Sequence, residues 1–113
     1  MITIWHNPRC SKSRQALQLL QDRGLDVTER LYLQDPPSEA ELRAAHAMLG
    51  GPVLAMMRPR EDGFKTAGLT KDSDDDALFA AMAADPKLIE RPVVFANGKA
   101  ALGRPPEAVL AIL

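Results

Sequence analysis

The sequence predicts an α/β fold. Its core is a four-stranded mixed sheet assembled as β-α-β and then β-β-α, with a helical insertion at about residues 38–87 between the halves. Three observations carry this. A short apolar run, Ile2–Trp5, leads through a polar loop into an amphipathic stretch and then a second apolar run at Val27–Leu33. Near the other end, Pro92–Ala96 and Lys99–Leu102 flank Asn97-Gly98, the strongest short hairpin signal in the chain. The residues between carry helix caps and proline stops instead of strand alternation.

Taken in order, Ile2–Trp5 reads as a buried strand. From Ser11 to Arg23 the apolar positions 16, 17 and 20 share one helical face. Gly24 is placed as the left-handed residue past that helix, with Leu25 folding back on it. Val27–Leu33 follows as a strand, apolar at 27, 31 and 33 and interrupted by Glu29. Strand, helix and strand at this spacing make a right-handed parallel unit. Asp35-Pro36-Pro37 stops the strand. Ser38 and Glu41 form a capping box for a helix over roughly Glu39–Leu49, ended by Gly50-Gly51. Leu42, Ala45, Met48 and Leu49 are its expected buried stripe, and His46 is expected on the surface.

Pro52–Met57 gives a shorter helical piece that delivers Arg58, Pro59 and Arg60 to a loop, and Glu61–Lys71 reads as short helix or loop. Ser73 is expected to cap the next helix, with Asp74, Asp75 and Asp76 in its first turn. A helix N-terminus accounts for those carboxylates, so no metal site is predicted. Leu78, Phe79 and Met82 carry the buried face, and Asp85-Pro86 ends the helix. After the hairpin, Gly103–Pro106 leads into a last helix, Glu107–Leu113, with apolar residues at 109, 110, 112 and 113. This element order is that of thioredoxin-like proteins. No linker or repeat divides the chain, so residues 1–113 are expected to form a single domain.

A chain of 113 residues is long enough to bury a real core. Its formal net charge of −1 supplies no global field to attract nucleic acid or an anionic membrane. One cysteine permits neither an intramolecular disulfide nor a thiolate zinc cluster. No secretory signal and no membrane-length apolar run is visible, so a soluble, cytoplasmic setting is expected.

That cysteine lies in His6-Asn7-Pro8-Arg9-Cys10-Ser11-Lys12-Ser13-Arg14, where a strand turns into a helix. The first N–H groups of a helix have no intrahelical partners and carry its positive dipole end. A thiol there ionises more easily, and the same geometry accepts an oxyanion. Arg9, Lys12 and Arg14 add positive charge. Polar and charged neighbours argue against an inert buried thiol and predict a reactive, partly exposed one. Ser13 stands where a Cys-x-x-Cys site would hold its second thiol. A mixed disulfide at Cys10 must therefore be resolved by an outside thiol.

His6-Asn7-Pro8-x-Cys10 with Ser13-Arg14, then Arg58, Leu88-Ile89-x-Arg91-Pro92-Val93, and Arg104-Pro105 resemble the glutaredoxin-dependent arsenate reductases. The resemblance runs from Ile2 to Leu113. It implies that Cys10 is the nucleophile and that Arg58, Arg91 and Arg104 hold the oxyanion. It implies that Pro92 is the cis-proline preceding the third strand and that His6 lies near the thiol and assists its ionisation. Ser11, Ser13 and Arg14 are implied as supporting residues. Arsenate or a similar oxyanion is the implied substrate, glutathione the co-substrate and glutaredoxin the partner, with no bound cofactor.

The residues themselves favour Arg58 over Arg60, because Arg58 directly follows the Leu54–Met57 apolar turn. Arg91 and Arg104 each sit beside a proline at the end of a buried strand, and a planar, always charged guanidinium pairs bidentately with oxyanions. One departure stands out. Ser11-Lys12 occupies the place of a glycine–threonine pair, and Arg9 is bulkier than the usual small residue; this form marks an arsenate-reductase-like branch. Three other readings stay open: a glutathione-linked thiol redox protein of the same fold whose substrate is not arsenate, a regulatory protein similar to the branch of this fold that binds RNA polymerase, and a non-catalytic oxyanion-binding module for which Cys10 is dispensable.

Overall fold

The computed structural model describes residues 1–113 and divides into two compact units, Met1–Asp35 with Arg91–Leu113, and Pro36–Glu90. The first unit holds β1 (Ile2–Trp5), α1 (Ser11–Asp22), β2 (Val27–Arg30), β3 (Val93–Ala96) and β4 (Lys99–Leu102) in a single sheet of order β2-β1-β3-β4. Strand β1 runs parallel to β2, with Ile2 opposite Val27, and antiparallel to β3, with Ile2 opposite Ala96. The β3–β4 hairpin turns on Asn97 and Gly98, whose φ values of 54° and 72° are both positive, as a type I′ turn demands. The sheet is mixed and four-stranded, as the sequence predicts.

Helix α1 ends through Gly24, whose N–H donates to Gln21 O while Leu25 N–H reaches back to Leu20 O. That pair of bonds is a Schellman closure, and Gly24 takes the positive φ it requires. The α1 face expected at 16, 17 and 20 packs on the sheet: Ala16 and Leu20 are buried with Ile4, Val94, Ala96, Val109 and Ile112, and Leu17 is partly buried beside them.

Two expectations fail in this unit. Strand β2 ends at Arg30, short of Leu33, because the Leu31 carbonyl accepts the N–H groups of both Gln34 and Asp35 and the chain turns. The C-terminal element is a 3₁₀ helix over Pro106–Ile112, not a helix over Glu107–Leu113. Its period of three buries Pro106, Val109 and Ile112, whereas the α spacing called for 109, 110, 112 and 113. Asn97 Nδ2 donates to Ile112 O at 2.9 Å and fastens its end to the hairpin.

The second unit holds α2 (Glu39–Leu49), α3 (Asp62–Thr66) and α4 (Asp75–Ala84), with 3₁₀ turns at Val53–Met56 and Pro86–Leu88. The Ser38–Glu41 capping box forms as expected. Only Leu42 and Ala45 of the α2 stripe are buried; Met48 is exposed, so the stripe is narrower than predicted. His46 is not a plain surface residue. Its Nε2 lies 2.8 Å from Gly51 O, and its ring meets Phe79 edge-on. The cap of α4 is Asp74, whose carboxylate accepts from Ala77 N–H, while Ser73 Oγ accepts instead from Thr70 N–H. The α4 core residues Leu78, Phe79 and Met82 are buried as expected.

Candidate active site

The site is built on the loop between β1 and α1. His6 N–H donates to Arg30 O at 2.8 Å, so the chain leaves β1 still held to β2. Asn7 then organises the turn: its carbonyl accepts Cys10 N–H at 3.0 Å, and its side-chain oxygen accepts Arg9 N–H at 3.0 Å. Arg14 reaches back from the helix and donates to Pro8 O at 2.9 Å. Cys10 is the N-cap of α1, with an extended backbone, and its carbonyl accepts the first intrahelical bond from Arg14 N–H.

The thiol is more covered than its charged neighbours led the sequence reading to expect: Cys10 is 8% exposed, while Arg9, Ser11 and Lys12 lie in solvent. The physical reason is the N-cap geometry, which turns residue 10 inward and its neighbours outward. Arg104 covers the sulfur from the far end of the sequence. Its Nη2 stands 3.9 Å from Cys10 Sγ, and its Nε donates to Arg91 O at 3.0 Å. Atoms Nε and Nη1 of Arg91 are buried, and this guanidinium also acts on the thiol.

The balance of effects holds the Cys10 pKa below its ordinary value. Burial is the largest single influence and pushes it up. The Ser13 N–H, the charge of Arg91, the Lys12 N–H and a hydrogen bond from Arg91 together outweigh burial. No side-chain cap bond closes at Cys10, so the two N–H groups act on the sulfur electrostatically. Alkylation of Cys10 is therefore expected to rise with pH to a midpoint below that of a cysteine in an unstructured reference peptide. A midpoint at or above that reference in a rate–pH profile would remove the activated thiolate from the account.

His6 and Ser13 are both buried and form a pair beneath the loop, with Nδ1 and Oγ 2.7 Å apart. Ser13 Oγ also accepts Asn7 N–H at 3.0 Å. Burial lowers the His6 pKa, Glu29 raises it and Arg14 lowers it again, for a net decrease. In the tautomer with the proton on Nε2, the Ser13 hydroxyl donates to Nδ1 while its oxygen accepts Asn7 N–H. The partner of His6 in this structure is thus Ser13, and Ser13 in turn braces the loop that carries the thiol.

The peptide bond Arg91–Pro92 is cis, in keeping with the resemblance, and so is Arg104–Pro105. The two Arg-Pro dipeptides are drawn together at Gly103, whose N–H donates to Pro92 O at 2.9 Å. A Cβ at residue 103 would lie 2.5 Å from Pro92 Cγ and 3.3 Å from Ala16 Cβ. Sequence reading missed this residue. Its signal was a glycine beside Arg104-Pro105 that no turn required. Gly103→Ala is expected to cost about 1–3 kcal/mol through overpacking and to raise the Cys10 pKa by shifting both arginines. Thermal unfolding and the alkylation profile read the two effects separately.

Cys10, Arg91 and Arg104 thus meet in the first unit. Arg58 belongs to the second. There its N–H donates to Leu88 O at 2.8 Å beside the Met57–Ile89 bridge, and its side chain pairs with Glu61 and, at 4.0 Å, Glu90. The arrangement in the first unit offers a polarised sulfur nucleophile with two guanidinium groups over it, which suits attack on a small tetrahedral oxyanion.

A family model described as the ArsC family matches residues 5–112. The arsenate reductase of Neisseria meningitidis is 49% identical over 99% of this chain and 97% of its own length. The uncharacterized protein YfgD of Escherichia coli is 47% identical, covering 99% and 96%. Among solved structures, the arsenate reductase from Vibrio cholerae superimposes with a TM-score of 0.95 at 50% identity, covering 99% of this chain and 97% of that one.

Proposed function

Because this chain belongs to the ArsC family, we propose that it reduces arsenate to arsenite, with Cys10 as nucleophile and glutathione and glutaredoxin as the source of electrons. The observation that carries the reading is the convergence of Arg91 and Arg104 on a Cys10 thiol of lowered pKa at a helix N-cap. Arsenate would be held by the two guanidinium groups and the free N–H groups of α1. The thiolate attacks arsenic, an oxygen leaves as water, and a Cys10–arsenic(V) adduct forms. Glutathione thiolate then attacks Cys10 Sγ. The S–As bond breaks, its electron pair stays on arsenic as arsenite, and a Cys10–glutathione disulfide remains. Two thiols have supplied the two electrons. With Ser13 in the resolving position, a glutaredoxin thiolate removes the glutathione and restores Cys10. For Arg58 the support is the sequence resemblance, and Arg58→Ala tests it through the KM for arsenate.

A coupled assay with arsenate, glutathione, glutaredoxin and NADPH-linked glutathione reductase tests the proposal. Turnover that requires all components, with a 1:1 glutathione adduct at Cys10 seen by intact-protein mass spectrometry when glutaredoxin is withheld, supports it. Absence of arsenate-dependent NADPH oxidation overturns it in favour of a glutathione-linked thiol protein acting on another substrate. The exposed Arg9 and Lys12, where the sequence leaves the usual pattern, are what keep that second reading in view.

A further inference from the structure

The two stretches that build the site are free of acid. None of the chain's fifteen carboxylates lies within residues 1–21 or 91–106, although the protein as a whole carries a net charge of −1. The cations there differ in how they are employed. Arg91 and Arg104 act on the sulfur, and Arg14 is spent on Pro8 O. Arg9 and Lys12, one residue before and two after Cys10, are exposed, and their side chains form no hydrogen bond or ion pair. Holding such charges without a counterion around a nearly buried thiol favours an anionic visitor.

We propose that Arg9 and Lys12 recognise the carboxylates of the small anionic thiol that exchanges at Cys10, a thiol of the glutathione class, and so select this reductant over uncharged thiols. The inference rests on the reading of Cys10 as a glutathione-linked nucleophile. Arg91 and Arg104, over the sulfur, serve the oxyanion; Arg9 and Lys12, at the rim, serve the thiol that must follow it. Such a thiol presents a neutral sulfur arm flanked by carboxylates, and two exposed cations one residue before and two residues after the target cysteine match that pattern. Exposed charges act mainly by steering, so the effect lies in association rate and fades with salt.

The test uses disulfide exchange, which needs no arsenate. The Cys10 thiolate attacks glutathione disulfide; its S–S bond breaks, a Cys10–glutathione bond forms, and one glutathione leaves as thiolate, with no net change in electrons. The same rate is measured with the uncharged disulfide of 2-mercaptoethanol. Their ratio cancels any change in thiolate fraction. In the Arg9→Gln, Lys12→Gln double variant the ratio is expected to fall roughly tenfold at low salt. The Arg9→Lys, Lys12→Arg variant should restore it, and high salt should bring the wild-type ratio down to the variant's. A ratio unchanged in the double variant overturns the proposal. So does an unchanged ratio accompanied by slower regeneration by glutaredoxin, which would assign the two cations to a protein surface. If the ratio falls as expected but the wild type shows no arsenate turnover, the anionic-thiol site stands and the arsenate reading fails.

Discussion

Replacing Cys10 with serine is expected to reduce arsenate turnover to the uncatalysed background while leaving the protein folded and able to bind oxyanion. A hydroxyl at this site cannot form the disulfide whose formation delivers two electrons to arsenic. Serine is also a favoured N-cap, so α1 should keep its start, and thermal stability should change little. Arg91, Arg104 and the free N–H groups of the helix remain in place. Calorimetric titration with arsenate and a coupled reductase assay on the same sample separate the two properties. Reduction at wild-type rate by this variant would exclude Cys10 as the nucleophile.

The second large effect is expected at Arg91. Changing it to lysine keeps the charge but removes the planar fork and the hydrogen bond that favours the Cys10 thiolate. Loss of one well-aimed donor to a developing oxyanion costs about a hundredfold in kcat/KM, or about 2.7 kcal/mol. The thiol pKa should rise at the same time, and further in Arg91→Gln, where the charge is lost as well. Wild-type kinetics in Arg91→Lys, with an unmoved alkylation profile, would show that Arg91 is not part of the machinery.

Much of the fold could be read from local chemistry. The Ser38–Glu41 box, the Asn97-Gly98 turn and the Gly24 closure each depend on residues adjacent in sequence, and each appears where expected. What sequence could not supply came from competition or distance. Ser73 and Asp74 were both able to cap α4, and Thr70 N–H claimed the serine. The apolar C-terminus fitted two periods, and the 3₁₀ one prevailed. At the site, Cys10 and its helix were legible because they are contiguous. The Arg104–Arg91 tie, the Gly103 contact and the His6–Ser13 pair were not, since each joins positions that only the fold brings together.

The pairing of β1 with β3 bears on how the molecule reaches this state. It joins the first residues of the chain to the last third, and the whole Pro36–Glu90 unit lies between them in sequence. Closing so long a loop costs entropy before any contact repays it, whereas α1, the β3–β4 hairpin and the helices of the inserted unit form from neighbours. Cys10 enters from one side of that closure and Arg91 and Arg104 from the other. The reactive thiol is therefore a late product of folding: in stopped-flow refolding, helical ellipticity should recover ahead of the fast-labelling cysteine. A chain caught at that stage holds its helices and its hairpin, and a thiol that has its helix N-terminus but not yet the two guanidinium groups.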